Sequence, residues 1–123
     1  MVARRVTTNA TPTDLLLDGG GPVILVPLNT AWTFHCMVIC ARTDGTPGSD
    51  YASYDFSGMV ICGATGGSIT TQGITKTVIY ESDASFDCSV SAFSGFLRVV
   101  ATGATGKTLR WVARLELVEV RFV

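Results

Sequence analysis

The sequence predicts an all-β chain, an antiparallel β-sandwich of the jelly-roll type with about eight strands, and three observations predict it. Apolar residues recur at every second position in several long stretches. No stretch of useful length keeps the 3.6-residue period of an amphipathic helix. Gly, Thr, Ser and Asp gather in short clusters between the alternating runs, which is the composition of turns. A sandwich is preferred to a barrel because the two Trp-bearing stretches are long and each buries a face.

The longest run is residues 107–122, KTLRWVARLELVEVRF. Trp111, Ala113, Leu115 and Leu117 alternate with Arg110, Val112, Arg114 and Glu116, so one face is apolar and the other mixed. Extended, this run spans about 50 Å, which predicts a bend or a change of partner near Val118. Beyond it Val118, Val120 and Phe122 become an apolar row of their own. Residues 95–102 read as a short strand, and the tight connection through Gly103 and Gly106 predicts a hairpin between the two.

From the amino end, residues 1–18 read as an arm followed by a short apolar strand, and residues 19–123 as the sandwich domain. The arm contains β-prone residues without clean alternation, and it ends in the triplet Leu15, Leu16, Leu17 between two acids. Residues 23–28 form a strand that Pro27 confines to an edge or a bulge. Residues 31–42 carry Trp32, Phe34, Cys36, Val38 and Cys40 on one face. The other face holds Thr33, His35, Met37 and Ile39, largely apolar as well, which is how a strand covered on both sides looks. Residues 51–63 alternate, with a kink expected at Gly58. Residues 70–81 return with Ile74, Val78 and Tyr80 on one side, and Phe86, Cys88 and Val90 mark a further strand.

Composition narrows the function. The chain has 123 residues, 47% of them hydrophobic, enough for one domain with a real core. A net charge of −1 and no basic run beyond Arg4-Arg5 remove the positive field that nucleic-acid binding uses. No apolar run approaches the roughly 18 residues of a bilayer span, and no basic-then-apolar leader opens the chain. The expectation is therefore no nucleic acid and no membrane. Cys36, Cys40, Cys62 and Cys88 fall in phase with core positions and read as buried free thiols, consistent with assembly in a reducing cytoplasm. Cys36 and Cys40, on one strand, lie about 13 Å apart, beyond disulfide reach.

No constellation for chemistry emerges. The segment from Gly103 to Thr108 suggests a phosphate loop, but the required earlier Gly is Ala101 and a strand follows where a helix should. His35 is the only histidine, and its neighbour Cys36 faces the opposite side of the strand. The densest acids, Glu81, Asp83 and Asp87, sit in a turn that could hold calcium, with a solvated, Asp-capped turn as the plainer reading. No catalytic residue, cofactor or metal is expected, and the chain is not read as an enzyme.

The order of features carries a resemblance. Trp32-Thr-Phe34, Ala41-Arg42-Thr43-Asp44, Tyr54 with Phe56 and Gly58, and Thr77-Val-Ile-Tyr-Glu81 come first, followed by Gly95-Phe-Leu97 and Thr102-Gly103. With Gly106-Lys-Thr-Leu-Arg-Trp-Val-Ala113 before Leu115-Glu116, the series resembles a β domain of tailed-bacteriophage virion proteins over residues 11–120. That domain occurs in capsid-associated and in tail-fibre or tailspike polypeptides, and it brings no catalytic set. Because the domain fills the chain with no fibre shaft attached, the resemblance implies first a capsid decoration, or cement, protein. This would be a structural virion component, assembled in the host cytoplasm, that binds the major capsid protein and stabilises the shell by mass action. The arm residues Val2, Arg4, Arg5, Leu15 and Leu17 are the expected capsid contact. His35, Met37, Ile39, Val118, Val120 and Phe122 are the expected subunit interface of a homotrimer. The alternative is a tail-fibre or baseplate accessory domain that binds a host surface glycan, with Tyr51, Tyr54 and Phe93 as candidate sugar contacts.

Overall fold

The computed structural model describes residues 1–123. The strands are β1 (Val2–Thr7), β2 (Thr13–Asp14), β3 (Leu16–Leu17), β4 (Ile24–Leu25), β5 (Thr30–Arg42), β6 (Tyr51–Cys62), β7 (Ile69–Glu81), β8 (Asp87–Phe93), β9 (Phe96–Thr102) and β10 (Leu109–Arg121). Regular structure apart from these is a single 3-10 turn, Gly66–Ser68. The strands form an antiparallel sandwich of two unequal sheets. The larger runs β3-β1-β10-β5-β6-β7, and in the smaller β9 pairs with β8 along one edge and with the short β2 and β4 along the other.

The core lies between the sheets. Trp111, Tyr54, Phe56 and Val38 of the large sheet share one core with Leu97 and Val99 of the small one and with Phe86, just before β8, all fully buried. Burying each such side chain contributes about 1.5–3 kcal/mol. The Trp111 and Tyr54 rings stack with centroids 6.4 Å apart. Their polar atoms are satisfied, as burial requires. Trp111 Nε1 donates to Thr7 Oγ1 at 2.9 Å, and the Tyr54 hydroxyl donates to Glu81 at 2.7 Å. All four cysteines are buried free thiols on this inner side.

The amino-terminal residues depart from expectation. The segment read as an arm is β1, paired with β10 from Val2↔Arg114 to Thr7↔Leu109. Ala3 and Thr7 are core residues, and the terminal amine donates to the Leu115 carbonyl. At Leu15, itself 1% exposed, the chain crosses from the small sheet (β2) to the large one (β3). A division at residue 18 therefore cuts through both sheets. The sequence hides this because Arg4, exposed, and Arg5, partly buried, interrupt the apolar period of a strand only six residues long.

The expected hairpin of residues 95–102 with 107–122 is likewise replaced. β9 and β10 lie in different sheets and face each other across the core, and the segment around Gly103 carries the chain over. A Cβ on Gly103 would stand 2.5 Å from Thr7 Oγ1, so the crossing is too close for a side chain. The hairpin β9 does form is with β8, through Ser94 and Gly95, both at positive φ, the geometry of a two-residue turn matched to strand twist.

β10 does not bend away or change partner near Val118. It stays paired with β5 without a slip from Leu109↔Arg42 to Arg121↔Thr30. Its inner face turns polar instead, at Glu119, which accepts from Trp32 Nε1 at 3.1 Å. The expected kink at Gly58 falls beside a register shift of β6 against β7, where a Cβ on Gly58 would strike Ile74.

Candidate functional site

The outer face of the large sheet faces away from the small sheet and is the site's floor. Its residues stand in cross-strand rows fixed by the register. Val6, Arg110, Ala41 and Tyr51 form one row, and Arg4, Val112, Ile39, Ser53 and Tyr80 the next. Met37 lies between Arg114 and Asp55, then His35 between Glu116 and Ser57, and Thr33 between Val118 and Met59.

At the Tyr51 end, two tyrosines of adjacent strands touch. Tyr51 and Tyr80 are 49% and 52% exposed, with ring centroids 5.5 Å apart at 32°. Tyr51 is held by its backbone, whose N–H donates to Ser82 Oγ while its carbonyl accepts from the Ser82 N–H. Ser82 Oγ donates in turn to Asp50.

Asp50 belongs to an ionic cluster that ties three loops together at this end of the sandwich. Lys107 lies 3.0 Å from Asp50 and 2.8 Å from Asp83, and Arg42 reaches Asp44 at 2.8 Å and Asp50 at 3.3 Å. Asp44 also accepts from the Thr108 N–H, two residues before Arg110. These cations and hydroxyl or amide donors hold Asp44, Asp50 and Asp83 below the usual carboxylate range. Asp83 is lowered first by its bond from Lys107 and then by Ser85.

The cluster decides two sequence readings. Lys107 serves as an ionic tie and does not stand over a phosphate loop. The acids of the 81–87 turn do not converge. Asp83 takes Lys107 and Ser85, Glu81 takes Tyr54, and Asp87 takes Lys76. That is the solvated, Asp-capped turn.

Further along the face His35 Nε2 and Asp55 Oδ1 are 2.6 Å apart, both partly exposed. Ser57 is the register partner of His35, but its hydroxyl is bonded to Thr75 Oγ1 at 2.8 Å and makes no bond to the imidazole. A base and an orienting acid are thus present without the nucleophile contact that acyl transfer uses.

Of the expected interface residues, His35, Met37, Ile39, Val118 and Val120 share this outer face. They divide into two groups, since Ile39 and Val118 stand about 20 Å apart along the strands. Ile39 is 58% exposed, and Val118 and Val120 are 70% and 62% exposed. Phe122, just beyond β10, is exposed and tied through its N–H to the Asn29 carbonyl. The expected capsid contacts separate: Val2 and Arg4 are exposed on the outer face, Arg5 and Leu17 are partly buried, and Leu15 is in the core.

Of the expected sugar contacts, Tyr54 is buried, and Phe93 is exposed in the smaller sheet, away from Tyr51. Tyr80 was the missed residue. Strict alternation places it with Ile74 and Val78, but a register shift between Ser53 and Tyr54 turns it to the outer face. Bulges leave little trace in a single sequence, although the polar Thr77 and Lys76 beside it mark an exposed edge strand.

The architecture defines the class, an antiparallel β-sandwich whose larger sheet leaves its outer face open. The chain matches no protein-family model and no curated protein. Among solved structures it is similar to the tailspike protein of Acinetobacter phage vB_ApiP_P1, at 12% identity and a TM-score of 0.49, over 98% of this chain and 22% of that one. It is also similar to the tailspike protein of Acinetobacter baumannii phage AM24, at 10% identity and a TM-score of 0.44, over 99% and 27%. The chain therefore spans about a quarter of the length of these structures. Likeness of this degree bears on neither ligand nor activity.

Proposed function

We propose that this chain is a structural domain of a tailed-phage virion, of the tail-fibre or baseplate accessory type, that binds a host surface glycan on the Tyr51 and Tyr80 rings. The observation that carries the reading is this exposed aromatic pair on a rigid sheet, clamped by Ser82 and the ionic cluster. Tyrosine offers an apolar ring to the C–H face of a sugar and a hydroxyl to its polar edge, with little entropy to lose on binding. Ser53, between Ile39 and Tyr80 in its row, adds a hydroxyl beside the rings. The sequence resemblance supports the virion setting. In this reading the domain binds and performs no chemistry.

The test is binding of the chain to an array of bacterial surface polysaccharides, repeated with Tyr80→Ala. Binding by the wild type, weakened at least about tenfold by the substitution at unchanged melting temperature, is the expected result. A wild type that binds no glycan, or a variant that binds as well, overturns it.

A second reading, capsid decoration, is favoured by the other end of the same face. Val118, Val120 and, across Thr33, Met59 are exposed there, apolar surface that suits a protein partner better than a sugar. Under that reading the contact with the shell comes from the sheet face, since β1 is not free to reach out. Hundreds of copies per particle would favour decoration, and a few dozen the tail.

A further inference from the structure

We infer that the glycan is acidic: a carboxylate-bearing sugar whose ring lies on Tyr51 and Tyr80 and whose carboxylate meets Arg110. The inference rests on the glycan reading and names its ligand class.

The register places the groups. Arg110, Ala41 and Tyr51 are successive partners in one row on one face. With strands about 4.8 Å apart, the Arg110 and Tyr51 backbones are about 10 Å apart, the span of one sugar ring with its substituents. Ala41 between them is exposed and presents only a methyl group, so the floor between the Arg110 and Tyr51 positions is low. Arg110 is exposed and takes part in none of the chain's ion pairs.

The nearby loop acids are already engaged, Asp44 and Asp50 by Arg42 and Lys107, and Asp83 by Lys107. Arg4, in the adjoining row across Val112, adds a second cation whose own partner, Asp18, stands 3.9 Å away in open solvent. A guanidinium is a planar donor fork that fits a carboxylate in bidentate fashion. One end of the face thus combines an aromatic platform with the unpaired guanidinium of Arg110, in a chain whose net charge is −1. A neutral sugar would leave that charge unused, and an anionic one is complementary to it.

The experiment uses the full chain and an array of acidic and neutral bacterial polysaccharides. Each binder is then titrated in its native and carboxyl-reduced forms against wild type, Arg110→Gln and Tyr80→Ala. The expected binders are acidic. Carboxyl reduction and Arg110→Gln should each weaken binding about tenfold, and Arg110→Gln should lose nothing further on the reduced glycan, because both changes remove one contact. Neutral binders, undiminished binding of the reduced form, or an unaffected Arg110→Gln would overturn the acidic assignment. If Tyr80→Ala still abolished binding in that case, the glycan reading would stand without it. Absence of any binder overturns both. If Tyr51 and Tyr80 were shielded from nitration in a self-associated wild type, with no glycan competing, the occupant would be a second copy and the inference would fail.

Discussion

At the scale of single residues, the bond from Trp111 Nε1 to Thr7 Oγ1 is a fully buried side-chain contact that joins distant parts of the chain inside the core. Thr7→Val keeps the volume and removes the acceptor, leaving a buried indole N–H unpaired. The expected loss is about 1–3 kcal/mol in a urea titration with unchanged slope. The cysteines are the complementary case. Burial pushes the Cys36 and Cys40 thiols up to about 12, so neither is a thiolate near neutrality. A thiol reagent at neutral pH is expected to leave the native protein unlabelled and to modify all four cysteines after unfolding, and reductant should leave the melting temperature unchanged. Rapid native labelling, or a melting temperature lowered by reductant, would contradict this. The burial of these thiols was legible in the sequence because each falls on the same parity as the aromatic residues around it. The engagement of Asp55 by His35 was not, because it depends on which residues of β5 and β6 stand opposite each other.

At the scale of elements, alternation identified the long strands β5, β6 and β10, whose inner rows are buried without a break through most of their length. It failed where an element is short or changes sheet. β1 is six residues with arginines at its centre, and β2 and β3 are two residues each on opposite sides of a crossing. Tyr80, and with it the candidate site, was obscured by a register shift. The corrected place of β1 reverses an expectation. Deleting residues 1–11 strips the β10 edge of its partner and uncovers Trp111, so loss of cooperative unfolding is expected, where a free arm would have left the fold intact. A truncated chain with the wild-type near-ultraviolet circular dichroism would restore the arm. The loop cluster gives a pH dependence whose sign follows from its carboxylates. Asp44, Asp50 and Asp83 are held below their unfolded values, so the stability they contribute is present above about pH 4, near the unfolded carboxylate value, and is lost as pH falls through their folded values. Melting temperature should drop on acidification below about pH 4, and the drop should shrink in Lys107→Met, which removes the cation shared by Asp50 and Asp83. An equal drop in both proteins would place the acid sensitivity elsewhere.

At the scale of the whole molecule, the sandwich buries one face of its large sheet and leaves the other in water. The two ends of that open face differ in chemistry. The Tyr51 end is aromatic and cationic, while the far end carries Val118, Val120 and Met59 with little charge beyond Glu116. Exposed apolar surface of this kind is suited to burial against a partner. A closed ring of identical subunits covers it without leaving a free sticky surface, and a trimer built on the far end would leave the Tyr51 end free for a ligand. We propose a trimer in solution whose interface includes Val118 and Val120. Val118→Asp places an unpaired charge where a partner must pack, a loss of several kcal/mol in association, and should give monomers in sedimentation equilibrium. Ile39→Asp, about 20 Å up the sheet, separates the alternatives. If it too dissociates the oligomer, the interface runs the length of the face and the tyrosine pair is covered. If it leaves the trimer intact and impairs only ligand binding, the two ends work independently. A wild-type chain that sediments as a monomer at micromolar concentration, unchanged by either substitution, would remove the interface altogether.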